Sequence, residues 1–356
     1  MSSHPSEPAD PPGEAAARAE PIPAHSPGPF PSAPAPAQPV PGLEPPPPAG
    51  PPGSQPSYEQ PPAAITPARA GGGPPDVPQL VGEPSWAAWQ GLLGLFAWAF
   101  GTFVVGSTVV VAAAAAGLTT LETDKVPPGI LIAATVAGDL VFLAVPLAFA
   151  TITARPRLWH FGLRRTRLWP TLGWAVLALF GWFVFSTIYQ AVVDPPGKQS
   201  TADDLGVNRS TTLLVVGGFV VIVLAPIFEE FFFRGFIYRT IRNSMVRKLG
   251  VGSGIALAVV FNGILFGSIH ATNTPLLILP VLGVLGAAFC LVYERTGSLF
   301  AVIALHTVVN TLGYLGTAKN SVPVALGFGG AMLIGCFVVP RLIGRGAPRA
   351  EAPAKA

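Results

Sequence analysis

Three short stretches interrupt an otherwise apolar sequence with groups that can do acid–base work: "EEFFFR" at 229–234, "FGSIH" at 266–270 and "HTVVN" at 306–310. A charged side chain within a membrane-grade segment costs several kcal/mol, so such groups persist only with a partner or a function. On a helix Glu230 and Arg234 are four residues apart, and their shared face predicts an ion pair. Glu229 is rotated from them by about 100° and has no such partner in its own helix. It is the freer carboxylate, suited to act as a general base. His306 and Asn310 are likewise one turn apart. An imidazole and an amide on one face can both donate to a single developing oxyanion. His270 stands four residues after Phe266, on the same face of its helix. Alternatively Glu229, His270 and His306, from three helices, form a set able to hold a divalent metal such as zinc, with one position left for water. Asp139, in "VAGDLVF", has no companion motif and is read as a structural hydrogen-bonding residue.

These groups sit in hydrophobic segments that must position them. Half of the 356 residues are hydrophobic and 11% are charged, under half the ~25% usual in soluble domains. Crossing ~30 Å of hydrocarbon takes ~20 apolar residues. Eight segments qualify: 87–117, 129–152, 169–193, 212–233, 251–271, 275–293, 299–316 and 322–343. All are predicted helical, because open strands leave backbone groups unsatisfied in lipid. The fold class is therefore all-α, a polytopic membrane domain over 86–345. Gly263 and Gly267, in "GILFG", have the spacing that lets helices approach, but such pairs arise by chance in a chain with 40 glycines and are given little weight.

Charge sets the expected orientation. Fourteen Lys and Arg fall on the side that carries both termini, and four on the other, Lys125, Lys198, Arg209 and Lys319. The positive-inside rule makes the first side cytoplasmic, for a multi-pass protein of the cell membrane. Residues 1–85 hold 27 of the 41 prolines and a net charge of −6, against +9 for the remainder. That composition predicts a disordered, partly polyproline-II cytoplasmic tail. "PAQP" within it matches a PxxP ligand, although a flexible spacer is the simpler reading. Residues 346–356 form a short polar tail. The basic balance belongs to the membrane domain, so topology explains it and no nucleic-acid partner is implied. No charged region followed by an apolar stretch opens the chain, so no cleavable signal peptide is expected. Cys290 and Cys336 lie in apolar runs and suggest neither a disulfide nor a CxxC metal site.

In order, the three stretches read EExxxR, FxxxH and HxxxN. Over about 205–316 the chain resembles the CPBP family of intramembrane proteases, also called the ABI or CAAX-protease family, which includes the type II CAAX prenyl endopeptidases. The resemblance implies endopeptidase activity near the C-terminus or membrane-embedded part of a membrane-associated peptide or protein, within the lipid bilayer. It implies Glu229 as the base that activates water, with His270 assisting. It implies His306 and Asn310 as the oxyanion site, and Glu230, Arg234 and Phe266 as supporting residues. Both a glutamate-based and a metal-based mechanism remain open. Two other classes compete. A non-catalytic scaffold, such as a self-immunity factor or secretion partner, would use the same polar cluster without turnover. A transporter would show internal repeats and corresponding broken helices, which are not evident.

One geometric conflict stands against a common site. Along straight helices, at ~1.5 Å per residue, Glu229 lies about 25 Å from the outer face and His270 about 28 Å from the inner one. The two meet only if helices tilt, re-enter, or if the fifth helix starts further into the cytosol.

Overall fold

Residues 86–122, 126–153 and 155–343 are described by the structure, a computed structural model. The tails expected at 1–85 and 346–356 lie outside the described residues. Eight helices long and apolar enough to span a membrane follow one another: α1 Ala88–Ala115, α2 Pro128–Thr153, α3 Leu168–Val193, α4 Thr211–Leu249, α5 Val251–Ser268, α6 Leu276–Thr296, α7 Leu299–Thr317 and α8 Val322–Ile343. The described residues contain no strand. The protein is a multi-pass, all-α membrane protein, as its hydropathy predicts.

The outer helices present their apolar side chains outward. Phe96 and Phe103 on α1 and Phe180 and Phe183 on α3 are all exposed, as lipid-facing residues should be, since lipid tails exert no hydrophobic pressure to bury them. Inside, an aromatic core gathers around α4. Phe232 and Phe233 are fully buried and pack with Phe142 of α2, Trp98 of α1 and Phe266 of α5.

The fourth span corrects the sequence reading. It was expected to end at 233, with Arg239 and Arg242 in a cytoplasmic loop. Instead α4 continues to Leu249, and both arginines are buried on it. Its length, about 58 Å, far exceeds the hydrocarbon thickness. The basic run has partners that hydropathy does not show. Arg239 donates to the His160 carbonyl, and Arg242 pairs with Glu294 at 2.6 Å.

That extension removes the depth conflict. The chain reverses at Gly250, whose φ of +80° suits a residue without Cβ. The lower part of α4 and α5 then form a hairpin, packed side by side. Glu229 lies 21 residues before the turn and His270 lies 20 after it, so the two come level. The fifth helix does begin further out.

The glycine pair also does more than chance would give. A Cβ on Gly263 would stand 2.6 Å from the Gly283 carbonyl oxygen, and one on Gly267 2.8 Å from that of Leu279. Helices α5 and α6 therefore touch backbone to backbone, a packing open only to glycine. On the other side, a Cβ on Gly286 would lie 2.7 Å from the Phe266 Cβ.

Candidate active site

Helix α4 carries both glutamates in a short α-helical stretch between two π-helical turns, Val220–Leu224 and Phe233–Tyr238. Pro226 explains the first. It has no N–H for the Ile222 carbonyl and its ring crowds that oxygen, so the preceding turn widens. π-Turns leave backbone carbonyls short of partners, and here side-chain amides supply them. Asn310 Nδ2 donates to Val221 O at 2.8 Å, and Asn262 Nδ2 donates to Phe233 O at 3.3 Å. Asn262 is a residue the motif reading missed. Its signal was available: a lone amide within "VVFNGILF" must find a partner once buried.

Glu230 is the hub of the cluster. Its Oε1 accepts from Arg234 Nη1 at 2.9 Å and from His306 Nδ1 at 2.7 Å, with the Glu230 and Arg234 side chains fully buried. The ion pair expected from the four-residue spacing is present. Arg234 also donates to Gly286 O at 2.8 Å. Its guanidinium lies 4.5 Å from the Phe266 ring centroid and 5.0 Å from that of Phe289, within cation–π range. The Phe of the second motif thus covers the arginine of the first.

His306 stands between the two glutamates. A carboxylate can only accept, so the Nδ1 facing Glu230 carries a hydrogen and the neutral ring presents a bare Nε2. That Nε2 is 4.0 Å from Glu229 Oε2. That separation is too long for a direct hydrogen bond. Glu229 Oε2 is buried and has no hydrogen-bond partner in the protein.

His270 lies just past the end of α5, in the turn that follows Ser268, and not on the helix as expected. Its Nδ1 donates to Phe266 O at 2.9 Å and caps a terminal carbonyl that the helix leaves open. The Phe266 ring contacts both histidines, at 5.2 Å to His270 and 5.8 Å to His306. The structure therefore brings Glu229, Glu230, Arg234, Phe266, His270, His306 and Asn310 into one region from α4, α5 and α7.

Among the described residues, no group of three His, Cys, Asp or Glu side chains lies together as a metal-ligand set. His306 Nδ1 is committed to Glu230, and the Phe266 ring packs against both histidines. Asp139, expected to make a structural hydrogen bond, has its Oδ2 buried without a partner. Helix α2 packs on the glutamate segment of α4, and Asp139 is close enough to Glu229 for their charges to interact. A third acid thus borders the site.

Residues 211–312 match the family described as Type II CAAX prenyl endopeptidase Rce1-like. The resemblance carried by the three motifs is borne out over that segment, which holds every motif residue and both π-turns. Comparison with curated proteins and with solved structures finds no match. Over that segment the chain is similar to the CAAX-type membrane protease family.

Proposed function

We propose that the protein is an intramembrane endopeptidase that hydrolyses a peptide bond of a membrane-associated substrate, with Glu229 as general base. The observation that supports this reading is the Glu229 carboxylate itself: its buried Oε2 has no hydrogen-bond partner in the protein and faces His306 Nε2 at 4.0 Å, so a water admitted beside them has both a base and an acceptor. Water held there loses a proton to Glu229 as its oxygen attacks the scissile carbonyl carbon. The oxyanion that forms takes a hydrogen bond from the second N–H of Asn310, whose first N–H anchors it to Val221, while the bare Nε2 of His306 accepts from the attacking water and orients it. Glu230 fixes that tautomer by accepting from Nδ1–H, as the buried acid does in a serine-protease triad. Collapse breaks the C–N bond, and the proton passes from Glu229 to the leaving amine. One water is consumed. His270 assists from the turn that ends α5, beside the Phe266 ring.

The chemistry needs no metal in this scheme. The test is cleavage of membrane-anchored peptides by the purified protein in lipid, with Glu229→Gln and His270→Ala beside it, each with and without a strong chelator. Cleavage by the wild type and its loss in Glu229→Gln, by about 10²–10³ or more, is the expected result. Full activity in Glu229→Gln would overturn the base assignment, and chelator-sensitive cleavage would overturn the metal-free scheme. If a physiological phenotype persists in an inserted Glu229→Gln protein, the polar cluster serves a scaffold instead.

A further inference from the structure

A second site lies on the other side of α7 from His306. A groove of about 330 Å³ runs between α3, α7 and α8, floored by small and apolar residues such as Ala301, Ala304 and Val308. Its walls are apolar for most of their length. Along α3 it extends from Leu168 to Leu179, a distance of about 16 Å, or roughly one leaflet of a ~30 Å hydrocarbon core. At one end the chemistry changes. Arg165, Thr166, Ser298 and Arg341 gather at that rim, and the Arg165 and Arg341 side chains are exposed. Arg164, buried beside them, donates to the Gly297 carbonyl and shapes the rim. Trp169, 77% exposed on the first turn of α3, marks this end as the level of the membrane–water interface, where tryptophan rings settle.

We propose that this groove binds one anionic phospholipid, its phosphate held by Arg165 and Arg341 and an acyl chain laid along the floor of α7. Three features select that occupant. The depth matches a single leaflet, the arginines sit at headgroup level, and the two exposed positive charges have no acidic side chain among the groove residues. A zwitterionic lipid would fill the same apolar floor but would neutralise the rim less well. The inference does not depend on peptidase activity.

Native mass spectrometry of the full-length protein tests it, after exposure to equal amounts of phosphatidylglycerol and phosphatidylcholine with identical acyl chains. The wild type should retain phosphatidylglycerol in preference by about thirtyfold, the scale expected for two arginines near an anionic headgroup. Arg165→Gln with Arg341→Gln, both at exposed positions, should bring the two lipids to parity. Ala304→Phe fills the floor, leaves the rim alone, and should lose both. Equal retention of the two lipids by the wild type would overturn the proposal. So would an undiminished preference in the double arginine variant, or undiminished binding in Ala304→Phe.

Discussion

The buried Glu230–Arg234 pair offers the sharpest test of how the site is held. Both side chains are fully buried and meet at 2.9 Å. In Arg234→Met the carboxylate keeps only His306 Nδ1, and Gly286 O loses its donor. Removing one partner of a buried pair costs about 3–5 kcal/mol, because the remaining charge is uncompensated. Glu230→Gln leaves the guanidinium charge buried among Phe233, Phe266 and Phe289, with a similar expected cost of about 3 kcal/mol. The double variant contains no buried charge. Its residual cost is the unaccepted Gly286 carbonyl, about 1–3 kcal/mol. The double variant should therefore be less destabilised than the sum of the singles by about 3 kcal/mol or more. Equilibrium unfolding of the four proteins in mixed micelles measures this directly. Additivity within about 0.5 kcal/mol would refute the reasoning, since it would mean the two groups do not depend on one another.

Further outcomes follow from individual contacts. Asn310→Ala strips the donor from the Val221 carbonyl at the first π-turn, so it should lower both cleavage and stability, the latter by about 1–2 kcal/mol. Glu229→Gln, by contrast, should lower cleavage and leave the unfolding midpoint unchanged, because Glu229 Oε2 has no hydrogen-bond partner to lose. Gly286→Ala places a Cβ 2.7 Å from that of Phe266; the displaced ring should cut cleavage while the protein still inserts, and Gly283→Ala, with its nearest atom at 3.4 Å, should be much milder. His160 lies in the short turn Leu158–Phe161, where its Nδ1 accepts from the Arg157 N–H at 3.1 Å. Burial, then Arg239 and Arg157, hold its pKa below the ordinary 6.5. The unfolded chain binds the extra proton first, so stability should be full above about pH 6.5 and fall as the pH is lowered below it. Thermal melts across that range should show the decline, and His160→Gln should flatten it.

Much of this architecture is readable from the chain because lipid is a demanding solvent. Eight apolar segments can be counted, since each must satisfy its own backbone over the hydrocarbon thickness. The Glu230–Arg234 pair is readable for a similar reason: a four-residue spacing fixes a shared helical face without reference to the rest of the fold. Pairings between helices are not readable in this way. Nothing in "EEFFFR" says that Glu230 rather than Glu229 meets His306, or that Arg234 reaches Gly286. The end of α4 escaped for a different reason. Hydropathy takes Arg239, Arg242, Arg247 and Lys248 for a loop, whereas two of these arginines are buried against a carbonyl and a glutamate that are distant in sequence. The glycines of α5 were visible but mute, because their value depends on which backbone lies opposite.

The two wide turns in α4 have a consequence for its azimuth. Each takes in about one residue beyond the α-helical repeat, so the faces before and after it are offset by about 100°. No single stripe runs down the helix. Its first part packs on α8, its middle on α2 and α7, and its last part on α1 and α5. The long rod is thus three pieces in different phases, and each answers to its own neighbours. Deleting one residue from Val220–Leu224 would reset the first phase against the second, turning the upper piece while the glutamates keep theirs.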